Sequence, residues 1–79
     1  MDKNIVGDRI RIARAIHKPP MSQSDLLAQL QVHGLEITQP SLSRMENGQR
    51  PVNDYELVAL SEVLNVSVMW LLGKTETKI

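Results

Sequence analysis

The chain has no cysteine and no phenylalanine, and its 79 residues include only two aromatic rings, Tyr55 and Trp70. Without cysteine there is no disulfide framework and no thiolate metal site, which excludes a small disulfide-stapled secreted scaffold. With so few rings, the core must be built from aliphatic side chains. Long apolar runs are missing too. The longest, Val68-Met69-Trp70-Leu71-Leu72, falls far short of the roughly 20 residues a membrane-spanning helix needs. The N-terminus Met1-Asp2-Lys3-Asn4 lacks the apolar stretch of a secretory signal, so a soluble, cytoplasmic protein is expected. The four glycines form no phosphate-binding loop.

Hydrophobic residues make up 42% of the chain and charged residues 23%, a globular balance rather than a disordered one. The length suits one domain over residues 1–79, with a core at about 4–73 and a polar tail at 74–79 that is expected to fray. Nine basic residues balance nine acidic ones. A nucleic-acid binder usually carries excess positive charge, because phosphate neutralisation supplies most non-specific affinity. Charge is nevertheless unevenly placed. Residues 1–18 hold Lys3, Arg9, Arg11, Arg14 and Lys18 against Asp2 and Asp8, a net of +3. Residues 52–66 hold Asp54, Glu56 and Glu62 with no Lys or Arg, a net of −3. The two regions can face different partners.

Ile5, Ile12 and Ile16, widened by Val6 and Ala13, follow a helical period and predict an amphipathic helix from about Asn4 to His17, stopped by Pro19-Pro20. Ser22 with Asp25 opens a second helix whose apolar face is Leu26, Leu27, Leu30 and Val32. Gly34 ends it in a left-handed cap. Thr38 caps a third helix with Pro40 in its first turn, Leu42 and Met45 on its inner side and Asn47-Gly48 at its end. Asn53 with Glu56 opens a fourth, striped by Leu57, Leu60, Val63 and Leu64 and broken at Asn65. Ser67 caps a short fifth helix through Leu72, stopped by Gly73. No segment alternates as a strand, and the expected fold is all-α: a bundle of five helices.

Catalysis has little support. His17 and His33 are the only histidines and show no metal-binding spacing. A bundle this small leaves little room for a sizeable pocket. No enzyme, metal or cofactor is expected. Trp70, in an apolar run, reads as core or as a dimer contact. The informative stretch is Ser22 to Pro51, where a second short helix presents Gln39, Ser41, Ser43, Arg44 and Asn47 while hiding Leu42 and Met45. Gln pairs with an adenine edge and Arg forks onto guanine, so this face suits a groove of duplex DNA. By polarity alone, an ordinary solvated helix face is the commoner reading.

The order Ser22-Gln23-x-x-Leu26, then Thr38-Gln39-Pro40-Ser41-Leu42-Ser43-Arg44-Met45-Glu46-Asn47-Gly48-x-Arg50-Pro51, resembles the helix-turn-helix of the Cro/lambda-repressor-like (XRE) family. Leu57 to Gly73 resembles that family's closing helices, and the likeness covers roughly residues 5–73. It implies a five-helix, lambda-repressor-like bundle that binds double-stranded DNA as a homodimer, through an inverted-repeat operator, with the helix after Thr38 in the major groove. Its function would be that of a cytoplasmic, nucleoid-associated transcriptional repressor. By the same resemblance Gln39, Pro40 and Arg44 read base edges, with Ser41 and Ser43 beside them. Ser22, Gln23, Asn47 and Arg50 meet phosphates, and Glu46 pairs with Arg14 to orient the reading helix. Pro40 either touches a thymine methyl or stiffens the first turn. Two segments depart from the family pattern. Gln31 to Ile37 is longer than usual, so the second helix gains a turn or the loop bulges, and His17-Lys18-Pro19-Pro20 lengthens the first loop. The alternative from another class is a protein-interaction module of the same fold, antirepressor-like or antitoxin-like.

Overall fold

Each helix begins where a side chain takes up free backbone N–H groups. The computed structural model describes residues 2–79, among which five helices and no strand occur. They are α1 (Gly7–Ile16), α2 (Gln23–Val32), α3 (Gln39–Glu46), α4 (Asp54–Leu64) and α5 (Val68–Leu71). Ser22 and Asp25 form a reciprocal capping box on α2, and Asn53 and Glu56 form one on α4. Thr38 accepts from the Ser41 N–H on α3, and Ser67 from the Trp70 N–H on α5. No helix is long and apolar enough to cross a membrane.

The ends follow from left-handed residues. Gly34 (φ 85°) and Gly48 (φ 72°) turn the chain out of α2 and α3, and the bonds Leu35 N–H to Leu30 O and Gln49 N–H to Arg44 O close each helix. Asn65 (φ 57°) does the same after α4. The long connection is thereby divided: Gln31 and Val32 stay helical, and His33 to Ile37 form the loop.

Three expectations are corrected. First, α1 starts at Gly7 rather than Asn4, because the Asn4 side chain accepts from the Val6 and Gly7 N–H groups and lies before the helix. Its inner face is Val6, Ile10 and Ala13, whereas Ile5, Ile12 and Ile16 are 69%, 47% and 44% exposed. Both sets share the helical period, but only the first falls opposite the cores of α3 and α4. Second, Val32 lies outside the core of α2, 80% exposed. Third, the tail after Gly73 returns to the body. The Lys78 carbonyl accepts from the Ser67 N–H at 2.5 Å, and Arg9, stacked 4.7 Å over the Trp70 ring, pairs with Glu76.

The core is aliphatic apart from Trp70. Ile10, Leu26, Leu30, Leu42, Met45, Leu60 and Leu71 are fully buried. Helix α1 runs through the middle, against α3, α4 and α5, while α2 packs on α3 and α4. Helix α3 therefore lies on the outside of the bundle, held on one flank by α1 and on the other by α2.

Candidate nucleic-acid interface

The inner side of α3 is fixed by three buried side chains, Leu42, Met45 and Glu46. Helical geometry then turns Pro40, Arg44 and Asn47 toward the opposite side, with Gln39 and Ser43 on the flank beside Glu46 that meets Gln23 of α2. Gln39, Pro40, Arg44 and Asn47 are exposed, whereas Ser41 and Ser43 are half-buried. Their expected exposure is corrected to that extent, because the start of α2 flanks Ser43. Among the described residues, the Arg44 guanidinium has no hydrogen-bond or ion-pair partner.

A chain of polar contacts runs beneath this face. Arg14 donates through Nε and Nη2 to the two oxygens of Glu46, each at 2.8 Å. Such a forked pair fixes orientation as well as charge. The same Arg14 reaches the Met21 carbonyl, tying the pair to the entry of α2. Gln23 donates to Glu46 Oε1 at 3.1 Å, and its own carbonyl oxygen accepts from Gln39 Nε2 and Ser43 Oγ, both at 3.3 Å. With one amide N–H taken by a carboxylate, Gln23 points its oxygen at α3 and keeps a second N–H to donate. Gln39 in turn has a carbonyl oxygen with no hydrogen-bond partner among the described residues. The extended loop before α3 thus leaves Gln23 and Gln39 in contact.

The far end of α3 is held by α1 and the residues before it. Asn4 Nδ2 donates to the Met45 carbonyl, Arg11 Nη1 to the Glu46 carbonyl and to Asn47 Oδ1, and the Lys3 N–H to the Gly48 carbonyl. These bonds satisfy carbonyls that a helix C-terminus otherwise leaves free. Gly7 makes the close approach: a Cβ there would sit 2.6 Å from the Met45 and Glu46 carbonyl oxygens. Sequence reasoning passed over Asn4, Gly7 and Arg11. Gly7 carried a signal, a glycine inside an otherwise helical pattern; Asn4 and Arg11 act on backbone atoms and carried none.

Ser22 is engaged as the cap of α2, and its partner Asp25 is held below the usual carboxylate range by the Ser22 N–H and hydroxyl. Arg50 lies in the turn between α3 and α4. Its guanidinium forks onto Glu56 at 2.9 and 2.5 Å, so the side chain expected at a phosphate is bound to the start of α4. Every buried side-chain nitrogen and oxygen among the described residues has a partner.

A helix-turn-helix family profile matches residues 21–71, from the residue before the cap of α2 to the end of α5. Among curated proteins no relative matches. The chain belongs to the helix-turn-helix family of the Cro/C1, XRE-like type, a family of DNA-binding regulatory domains.

Proposed function

We propose that the protein is a sequence-specific binder of duplex DNA, acting as a homodimeric, cytoplasmic transcriptional repressor with α3 in the major groove. The observation that carries this reading is the polar chain Arg14–Glu46–Gln23–Gln39. It holds a base-reading amide in place before DNA arrives, so little side-chain entropy remains to be lost on binding. Arg44, exposed one turn beyond Pro40, supplies a guanidinium free to fork onto guanine. Pro40 and Ser41 lie at the first turn, the part of a reading helix that faces base edges. Ser22, Gln23 and Asn47 flank that face and are assigned to phosphates, with α2's first turn directed at the backbone.

Zero net charge fits this role because charge is directed rather than absent. The acidic α4 packs on α1, α2 and α5, and the one exposed charge on α3 is the cation Arg44, which suits a phosphate-lined groove. Exposed apolar side chains remain for self-association, among them Ile12, Ile16, Val58 and Met69.

The test is base discrimination by Arg44→Ala. With the preferred duplex and its single-base variants, the substitution should cost about 1–3 kcal/mol and erase preference at one base pair. An equal loss on every duplex would make Arg44 a phosphate contact. No change on any duplex would remove Arg44 from the interface, and a wild type that prefers no duplex would favour the protein-interaction reading.

A further inference from the structure

Arg50 lies in the turn between α3 and α4 and is held from three sides. Its carbonyl accepts from Asn4 Nδ2 at 2.7 Å, and that same amide donates to the Met45 carbonyl near the end of α3. Its Nη1 donates to the Pro51 carbonyl at 2.6 Å and to Glu56 Oε1 at 2.9 Å, and its Nη2 to Glu56 Oε2 at 2.5 Å. Glu56 is only 4% exposed, and its Oε1 also accepts from the Asn53 N–H that begins α4. One residue thus joins the segment before α1, the end of α3 and the start of α4. For its guanidinium to reach a phosphate, Arg50 would have to abandon a buried carboxylate, and leaving a buried charge unpaired is strongly unfavourable.

We infer that Arg50 is a positioning residue of the DNA interface and not a phosphate contact. Its fork onto Glu56 and its carbonyl bond to Asn4 lock the turn after α3, and with it the pose of the reading helix. The inference rests on the DNA-binding reading above and adds to it a residue pair, Arg50 and Glu56, that acts from outside the contact face. The ion pair is mutually reinforcing: the Arg50 hydrogen bonds hold the Glu56 carboxyl below its usual range, and Glu56 raises the guanidinium further.

Wild type, Arg50→Lys, Arg50→Gln and Glu56→Gln are compared on the duplex that the wild type enriches most from a random-sequence pool. Binding is titrated by fluorescence anisotropy across a salt series, at a temperature where circular dichroism shows each variant folded. Glu56→Gln removes a negative charge, so electrostatics alone would tighten binding; positioning predicts several-fold weaker binding instead. Arg50→Lys keeps a charge that can meet a phosphate but loses the fork, and should weaken binding as much as Arg50→Gln does. The salt slope of Arg50→Gln should stay at the wild-type value, whereas loss of a phosphate contact would lower it by about 0.9. Tighter binding by Glu56→Gln, or wild-type affinity in Arg50→Lys, overturns the inference while leaving the DNA-binding reading intact. Should Glu56→Gln not fold, Arg50→Lys decides alone. A wild type that enriches no duplex overturns the DNA-binding reading and this inference with it.

Discussion

Single residues of the proposed interface have two separable jobs, contact and orientation, and the charged ones differ in how they are bound. Arg44 is exposed and has no partner among the described residues, while Arg14 and Arg50 are committed to buried carboxylates. The commitment of Arg50 has a consequence for acid stability. Glu56 titrates below its usual value in the folded state, chiefly because Arg50 donates to it, and Asp25 does so because of Ser22. A depressed carboxyl contributes stability that is complete above its unfolded pKa, about 4.3 for Glu, and is lost as pH falls through the folded value. Thermal stability should therefore be level toward neutral pH and fall once pH drops below about 4.3. Glu56→Gln should lower the plateau and flatten part of that fall. A Glu56→Gln melting profile parallel to wild type at every pH would contradict the role given to this carboxylate. The Arg14–Glu46 pair was legible only through the family resemblance, since nothing in the spacing of residues 14 and 46 brings them together. The Arg50–Glu56 pair lay beyond reach. The sequence marked Glu56 as a helix cap and Arg50 as a cation, and only folding turns the one toward the other.

At the scale of elements, the caps were the most readable feature. Ser22, Thr38, Asn53 and Ser67 each cap the helix they were expected to cap, because a cap is a contact between residues three apart and needs no tertiary information. The facing of α1 was not readable in the same way. Of the expected stripe Val6 and Ala13 are buried, but Ile5, Ile12 and Ile16 are not, and α3 and α4 select Ile10 in their place. The decisive residue is Gly7, whose missing side chain lets α1 lie on the last carbonyls of α3. Adding one carbon there must push the two helices apart, and overpacking of this kind costs about 1–3 kcal/mol. Gly7→Ala should therefore lower the denaturant midpoint, even though alanine is the better helix former. A stabilised Gly7→Ala protein would show that α1 does not press on α3 as described. Similarly, the tail was expected to fray on polarity, yet its docking depends on Arg9 and Trp70, far away in sequence.

The whole molecule is a bundle in which α3 is braced at both ends. The start of α3 is tied to α2 through Gln23, and its end is tied to α1 through Asn4, Gly7 and Arg11. That arrangement suits a rigid reading element better than a general adhesive surface, because the helix is held at both ends and its exposed side chains, Pro40 apart, are polar. Selection of the purified protein on randomised duplex DNA at low salt, with Arg44→Ala in parallel, tests this most directly. A dimeric major-groove reader is expected to enrich an inverted repeat with half-sites about one helical turn apart, altered at one base pair in each half by Arg44→Ala. Enrichment of no sequence, with only weak binding that fades as salt rises, would contradict it.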